Sequence, residues 1–234
     1  MIVLPPPADP LVMVGVGVLA YFVFVKWVEW LLPRAWTYRI ALSRAVTFAW
    51  LALFGLVAQS GALQRFDRFP PPMAIMIVGV LIVSVAIGAS SFGRNAMAMP
   101  LVSLIGLQAF RLPLELLMHR GVALGIVPVE LSYTGYNFDI VTGIGAAAIA
   151  LALSRGIAVP RRVIWLWNVY GLACLAVIVV VAVLGSPMVH RFGTDPRHVN
   201  TWVLFVPYVL VPTTLVVTAL SAHLVITRAL WRSA

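Results

Sequence analysis

Residues 73–93 have the sequence MAIMIVGVLIVSVAIGASSFG. No charged side chain interrupts this stretch. Because each residue adds about 1.5 Å to a helix, a helix of this length crosses a hydrocarbon layer about 30 Å thick. A helix also satisfies its own backbone hydrogen bonds, as a lipid environment requires. The stretch therefore predicts a transmembrane helix.

The rest of the 234-residue chain has the same character. Hydrophobic residues make up 62% of it and charged residues 10%, and the mean hydropathy is +1.05. Soluble domains hold about 45–50% apolar and about 25% charged residues, so composition excludes a soluble globular protein. Six further apolar segments cover residues 11–32, 45–63, 98–118, 139–154, 163–184 and 201–226.

These segments predict an all-α, polytopic integral membrane protein. We expect a single transmembrane helical domain over residues 1–234, built as a bundle of seven transmembrane helices. The segment at 139–154 is the shortest, and it reaches spanning length only if Tyr136 to Asp139 lie in its first turn. Asp9 followed by Pro10 predicts the N-cap and first residue of the first helix.

The positive charge of the chain forms no basic patch. The formal net charge is +9, from 16 Lys and Arg against 7 Asp and Glu. A nucleic-acid site needs clustered basic residues with interleaved aromatic ones, so we exclude a nucleic-acid partner. We expect the protein to be surrounded by the lipid bilayer. The single cysteine, Cys174, permits no internal disulfide and no CxxC motif for metal or redox chemistry.

The arginines predict the orientation in the membrane. Positive residues accumulate in cytoplasmic loops, and with the N-terminus outside more of them fall on the inner side than on the outer. The inner set is Arg34, Arg39, Arg44, Arg94, Arg155, Arg161, Arg162, Arg228 and Arg232, and the outer set is Arg65, Arg68, Arg120, Arg191 and Arg197. Tryptophan is frequent at membrane interfaces, where its indole N–H can contact water. Six tryptophans fall at the same inner boundary: Trp27, Trp30, Trp36, Trp165, Trp167 and Trp231.

We therefore predict a multi-pass protein of the bacterial inner (plasma) membrane, with a periplasmic or extracellular N-terminus and a cytoplasmic C-terminus. Residues 1–10 lack the basic region of a signal peptide, so we expect the first segment to remain in the mature protein. Lys26, Glu29 and His223 are expected near the inner surface, where an i,i+3 pair and extension of the long side chains to water account for them.

One stripe of polar residues follows the fourth segment. Gln108, Arg111, Glu115 and His119 lie at i, i+3, i+7 and i+11, within an arc of about 80° on a helix. A charge near the bilayer centre costs on the order of 2.5–3.5 kcal/mol, so the stripe should face protein. We expect Glu115 to pair with Arg111 one turn away, and Pro113 to leave one backbone carbonyl without its donor.

Polar residues at the start of the fifth segment fall at the same outer depth. Tyr136, Asn137 and Asp139 are candidates for the same site, and Asp139 is a possible second partner of Arg111 or His119. Capping of the fifth helix explains Asn137 and Asp139 equally well. Two outer loops are longer than the others. Residues 121–132 are interfacial or re-entrant, and residues 185–200 form either a cover over the stripe or a solvated turn.

The stretch from Phe110 to Gly143 resembles an uncharacterised family of bacterial multi-pass membrane proteins. The resemblance is carried by FRLPLEL at 110–116, His119, Pro128 and GYNFDIVTG at 135–143. It implies that Arg111, Glu115, His119, Asn137 and Asp139 act as one unit, and it implies no activity. The chain lacks the lysine of a retinal protein in segment 201–226 and the HxxxH pair of membrane metal hydrolases.

Three functions remain open from the sequence. The first is the binding or transport of a small polar or anionic ligand in an outer-leaflet cavity, with Arg111 as anion anchor. Its lining is Gln108, Arg111, Glu115, His119, Tyr136, Asn137 and Asp139. The second is a membrane-embedded enzyme that uses His119, Glu115 and Asp139 as an acid–base or metal site. The third is a structural or assembly subunit. The sequence does not identify a cofactor, and no recognised metal-binding motif such as CxxC or HxxxH is present.

Overall fold

The computed structural model describes residues 4–232, which fold as helices and connecting turns with no strand among them. The helices are α1 (Pro10–Leu31), α2 (Arg39–Gln59), α3 (Pro72–Ala89), α4 (Ser91–Met97), α5 (Leu101–Leu107), α6 (Arg111–Ala123), α7 (Asp139–Ser154), α8 (Arg161–Leu184) and α9 (Val217–Arg232). A 3₁₀ turn, Gln108–Phe110, joins α5 to α6, and a π-helical turn, Val211–Val216, leads into α9.

Six helical stretches within residues 4–232 are long and apolar enough to cross a membrane. They are Pro10–Leu31, Arg39–Gln59, Pro72–Ala89, Leu101–Ala123, Arg161–Leu184 and Val211–Arg232. At the position of the shortest predicted segment lies α7, an apolar helix of 16 residues. The protein is therefore all-helical and membrane-embedded, with six candidate spanning helices.

The helix ends follow local capping chemistry. Asp9 accepts a hydrogen bond from the amide of Val12 at 2.9 Å, and Pro10 is the first helical residue, so the predicted N-cap is confirmed. The predicted segment 73–93 is two helices instead of one. Its first part ends at Ala89, and the Ser90 hydroxyl accepts a hydrogen bond from the amide of Gly93 at 3.3 Å, which starts α4.

Two other predicted segments are less regular than expected. Segment 98–118 is interrupted by the 3₁₀ turn at Gln108–Phe110, one turn before Pro113, which lacks the N–H that regular α-helix bonding needs. Segment 201–226 becomes helical only at Val211, since Trp202–Leu204 is a separate 3₁₀ turn. Apolar composition predicts burial in both cases, but it does not distinguish a buried turn from a helix.

The span Val211–Arg232 lies at the centre of the bundle. Buried residues make up 67% of its apolar stretch, against 11% for α2, which lies at the periphery beside α1. The central span packs along α3 on one side and against α8 on another, and α7 packs antiparallel to α5 and α6. This arrangement leaves α6 and the start of α7 inside the bundle.

Contacts between loops define two ends of the bundle. At the first, here called the Asp9 end, Asp9 binds Arg120 at 2.7 Å and His198 lies 2.5 Å from Glu130. At the other, here called the Arg34 end, Arg34 donates to the Ala98 carbonyl at 2.7 Å. Segment 121–132 belongs to the Asp9 end, where Ile126, Val127 and Leu131 pack into the core.

Two of the tryptophans expected at a wet boundary are instead inside the protein. Trp27 is fully buried, and Trp167 donates its indole N–H to the Thr142 carbonyl at 3.0 Å. A Cβ atom at Gly145 would lie 2.7 Å from the Trp167 ring, so the glycine makes room for it. Trp165 and Trp231 do form an edge-to-face pair at the Arg34 end, and Trp231 is exposed.

Candidate functional site

The buried polar site lies where α6 meets the beginning of α7. Gln108 occupies the 3₁₀ turn, Arg111 is the first residue of α6, and Glu115 follows one turn later. Their exposed fractions are 0%, 1% and 1%. The three side chains face protein, as their helical spacing predicts.

Arg111 binds Asp139 of α7. Its Nη1 lies 2.6 Å from Asp139 Oδ1, and the two side chains are 1% and 9% exposed. The expected pairing of Arg111 with Glu115 inside α6 is therefore wrong, and Asp139, the second candidate, is the partner. As the first residue of α7, Asp139 also places a carboxylate at the positive end of a helix dipole.

A close approach of the two helices makes this pair possible. Gly143 lies one turn after Asp139, and a Cβ atom there would come within 2.5 Å of the Leu112 backbone nitrogen. The absent side chain thus lets the backbone of α7 touch α6 beside Arg111. Small residues serve this purpose widely in membrane helices.

Glu115 is held by Asn137 in the turn before α7. The Asn137 side-chain amide donates to Glu115 Oε1 at 2.7 Å and to the Leu131 carbonyl at 3.1 Å. The Asn137 side-chain oxygen accepts the backbone N–H of Asp139 at 3.2 Å. The sequence left two roles open for Asn137, and the structure shows both of them. Asn137 supports the first turn of α7, and it contacts the polar stripe.

Several polar atoms of the site have no hydrogen-bond partner within residues 4–232. They are Gln108 Oε1, Arg111 Nε, Arg111 Nη2 and Glu115 Oε2. Gln108 uses its amide nitrogen to donate to the Ala219 carbonyl of α9 at 3.2 Å. A buried polar atom without a hydrogen-bond partner lowers the free energy of unfolding by about 1–3 kcal/mol. These atoms can therefore still form hydrogen bonds that the fold itself does not provide.

His119 and Tyr136 lie apart from these groups. The ring of His119 stacks on Tyr133 with 4.6 Å between centroids. Tyr136 is 52% exposed and stacks on Phe192 of the loop before the last span. The structure therefore brings together Gln108, Arg111, Glu115, Asn137 and Asp139, and leaves the two aromatic residues at the rim.

A cavity of about 110 Å³ reaches the polar site from the side of α3 and α8. Its polar lining includes Glu115, Asn137 and Asp139, and its other walls are largely apolar. Gln108, Arg111, His119 and Tyr136 do not line it. Arg111 therefore contributes to the cavity indirectly, because it binds Asp139, which does line it.

The loop over residues 185–200 lies beside this region. His198 contacts Glu130, and Phe192 stacks on Tyr136, so the loop is tied to the segment before α7. These contacts tie the loop to the site, while most residues between Arg191 and Arg197 are exposed, so the loop has features of both a cover and a solvated turn. Asn200 and Trp202 from its end also line the cavity. The sequence analysis missed both as site residues, although the turn-rich composition of the loop had indicated a possible cover.

A second buried polar cluster lies nearer the Arg34 end. His223 is fully buried and its Nδ1 lies 2.8 Å from Asn168 Oδ1, while Asn168 donates to Thr227 at 2.8 Å. The expected surface position of His223 is wrong. The i,i+3 pair Lys26–Glu29, at 3.0 Å, is confirmed.

Comparison with known families adds one result. A family model described as a domain of unknown function (DUF8737) matches residues 68–231. The chain belongs to this family. The DUF8737 domain extends from just before α3 almost to the end of α9, so it contains every residue of the polar site, and α1 and α2 lie outside it. No curated protein and no solved structure matches the chain.

The chemistry of the site is that of carboxyl, amide and guanidinium groups. In the part of the chain that the structure describes, no group of three or more His, Cys, Asp or Glu side chains is arranged to hold a metal ion. The cavity offers oxygen acceptors from Glu115 and Asp139 and amide groups from Asn137 and Asn200. Such a lining can hold a ligand by hydrogen bonds.

Proposed function

We propose that this protein binds a small polar ligand in the cavity lined by Glu115, Asn137 and Asp139. The observation that carries the proposal is that one cavity reaches three buried polar residues from two different helical segments. A purely structural polar cluster would be expected to satisfy its own hydrogen bonds. Glu115 lines this cavity, and its Oε2 has no hydrogen-bond partner among the described residues.

The geometry favours a hydrogen-bond donor over an anion as the ligand group. Arg111, the proposed anion anchor, binds Asp139 and does not line the cavity. The ionisable groups that do line it are the carboxyl groups of Glu115 and Asp139. A ligand that donates hydrogen bonds to carboxyl oxygens therefore fits better than one that carries a negative charge.

For the membrane topology we propose seven crossings with the N-terminus outside, in the inner membrane of a bacterial cell. The contacts at the two ends of the bundle support the number of crossings, because successive long helices run alternately toward the Asp9 end and the Arg34 end. The arginine distribution supports the orientation. The 16 residues of α7 extend about 24 Å. The cavity would then open toward the outer half of the bilayer, where release into or uptake from the outer side makes transport of the ligand possible.

The binding proposal can be tested by ligand-induced stabilisation. Purified protein in lipid nanodiscs would be heated with members of a panel of small amines, amino acids, polyols and carboxylates. A ligand at 100 times its Kd stabilises the folded state by about 2.7 kcal/mol. We expect one chemical class to raise the Tm of the wild type.

The matched variants are Glu115→Gln and Glu29→Gln. Glu29 pairs with Lys26 and Arg39 near the Arg34 end, far along the chain from the cavity lining. The Tm shift should persist in Glu29→Gln and disappear in Glu115→Gln. A panel without any stabilising ligand, or an equal shift in the two variants, would contradict binding at this cavity.

A further inference from the structure

The cavity continues toward the lipid between α3 and α8. One wall carries Met76 and Val80 of α3, and the facing wall carries Leu175 and Ile178 of α8. Over their described lengths the two helices barely touch each other. Ile178 is only partly buried, so the wall on α8 is in part exposed to the surroundings of the bundle.

A second apolar depression extends the same gap toward the Asp9 end. Its volume is about 300 Å³, and it shares Ile77 of α3 with the cavity. Phe66, Met188 and Val189 complete its rim. The two depressions adjoin at Ile77 along the same two helices, and we take them together as the α3–α8 groove, with the carboxyl and amide groups in the lining of its inner part.

Three buried polar atoms, each on a residue that lines the cavity, have no hydrogen-bond partner within residues 4–232. They are Glu115 Oε2, Asn200 Oδ1 and Trp202 Nε1, on side chains that belong to residues only 1%, 2% and 3% exposed. Two of them accept hydrogen bonds and the indole N–H donates. They belong to α6 and to residues 200–202, so a ligand head group that reaches these atoms would contact both parts of the chain.

The charges around the cavity indicate the charge of that head group. Arg111 is paired with Asp139, so these two charges compensate each other. Glu115 is the remaining carboxyl group of the lining, and its polar contact is the neutral amide of Asn137. An ammonium group beside Glu115 would pair with this carboxyl group, and the pair costs less to bury than either charge alone.

We propose that the ligand is a single-chain membrane amphiphile with a primary amine head, which enters sideways from the bilayer. The amine lies against Glu115 and Asn200, and the apolar chain occupies the α3–α8 groove. This inference rests on the proposed function and specifies its ligand class. A lipid chain is the natural occupant because the groove opens on the face of the bundle that contacts acyl chains.

Binding of radiolabelled dodecylamine to the protein in phosphatidylcholine nanodiscs tests this. Nanodiscs without protein give the background from partition into lipid. We expect saturable binding of one amine per chain, displaced at least ten times less effectively by propylamine, dodecanol and dodecanoate than by unlabelled dodecylamine. These competition experiments use the wild type, so they do not depend on the folding of any variant.

Two pairs of variants locate the site. Glu115→Gln should weaken dodecylamine binding at least tenfold and Glu29→Gln should not. Ile178→Trp fills the groove. Leu166→Trp is its control, because it adds the same side chain to the same helix at a position that is 73% exposed. Only Ile178→Trp should block binding.

The possible outcomes separate this inference from the binding proposal. Equal competition by propylamine, with no effect of Ile178→Trp, overturns the chain-binding groove and leaves the polar cavity intact. Stronger competition by dodecanoate or dodecanol overturns the amine head. Absence of any binding that depends on Glu115 overturns the whole inference, while the thermal-shift panel decides independently whether the cavity binds another small polar ligand.

Discussion

At the scale of single residues, the main result is the choice of partner for Arg111. Sequence spacing places Glu115 one helical turn away, yet the guanidinium binds Asp139, 28 positions further along the chain. Spacing within one helix predicts which side chains share a face, and it predicted that Gln108, Arg111 and Glu115 are buried. It cannot predict which residue of a neighbouring helix completes the pair, because that depends on the close approach at Gly143.

The buried pair predicts a specific pattern of stability. Arg111→Leu or Asp139→Leu alone should destabilise the protein by about 3–5 kcal/mol, since each leaves one buried charge without its partner. The double substitution should recover most of that loss, because both charges are then absent. Thermal unfolding of the four proteins in detergent would measure this, and additive losses would show that the two residues do not interact.

Asn137 predicts a second effect at this scale. Asn137→Leu removes the donor to Glu115 and the acceptor for the Asp139 amide together. Unpaired buried groups cost about 1–3 kcal/mol, so we expect a loss of at least that range. The partly buried Asn95 makes one hydrogen bond, to Leu31 O near the Arg34 end, so Asn95→Leu is the control. An equal or larger loss in Asn95→Leu would argue against the importance of the Asn137 contacts.

At the scale of helices, apolar length predicted the positions of the long helices but not their interruptions. Residues 201–210 are as apolar as a span, but they form turns, and the helix starts only at Val211. The sequence predicts Trp27 and Trp167 at a wet boundary because tryptophan is frequent there. In the structure both are buried, and Gly145 and the surrounding helices enclose Trp167. Composition is a property of one segment, and burial of a particular side chain depends on its neighbours.

The contact between α6 and α7 predicts the effect of a single methyl group. Gly143→Ala places a Cβ atom 2.5 Å from the Leu112 nitrogen, which is backbone and cannot move without displacing α6. We expect destabilisation of about 1–3 kcal/mol. Gly17→Ala in α1 is the matched control, because no described atom outside its own helix lies within 4 Å of the added Cβ, and it should stabilise the helix by about 0.5–1 kcal/mol. Equal effects of the two substitutions on the thermal unfolding midpoint would contradict the close packing.

At the scale of the whole molecule, the bundle is arranged around the central span Val211–Arg232, and α2 lies at its periphery. The polar site and its cavity lie in the half of the bundle nearer the Asp9 end, beside the loop over residues 185–200. The arginine distribution predicts that this end lies on the outer side, independently of any contact in the structure. The orientation therefore decides which side of the membrane the cavity faces, and with it the side from which a ligand is taken up.

Impermeant maleimide labelling of intact cells tests the proposed topology most directly. In a Cys174→Ser background, which removes the single native thiol, cysteines would be placed at Ser60 near the Asp9 end and at Ser154 near the Arg34 end, both of which are exposed. We predict that Ser60→Cys is labelled in intact cells and that Ser154→Cys is labelled only after the membrane is permeabilised. Labelling of both in intact cells, or the reverse order, would contradict seven crossings with an outward-facing cavity.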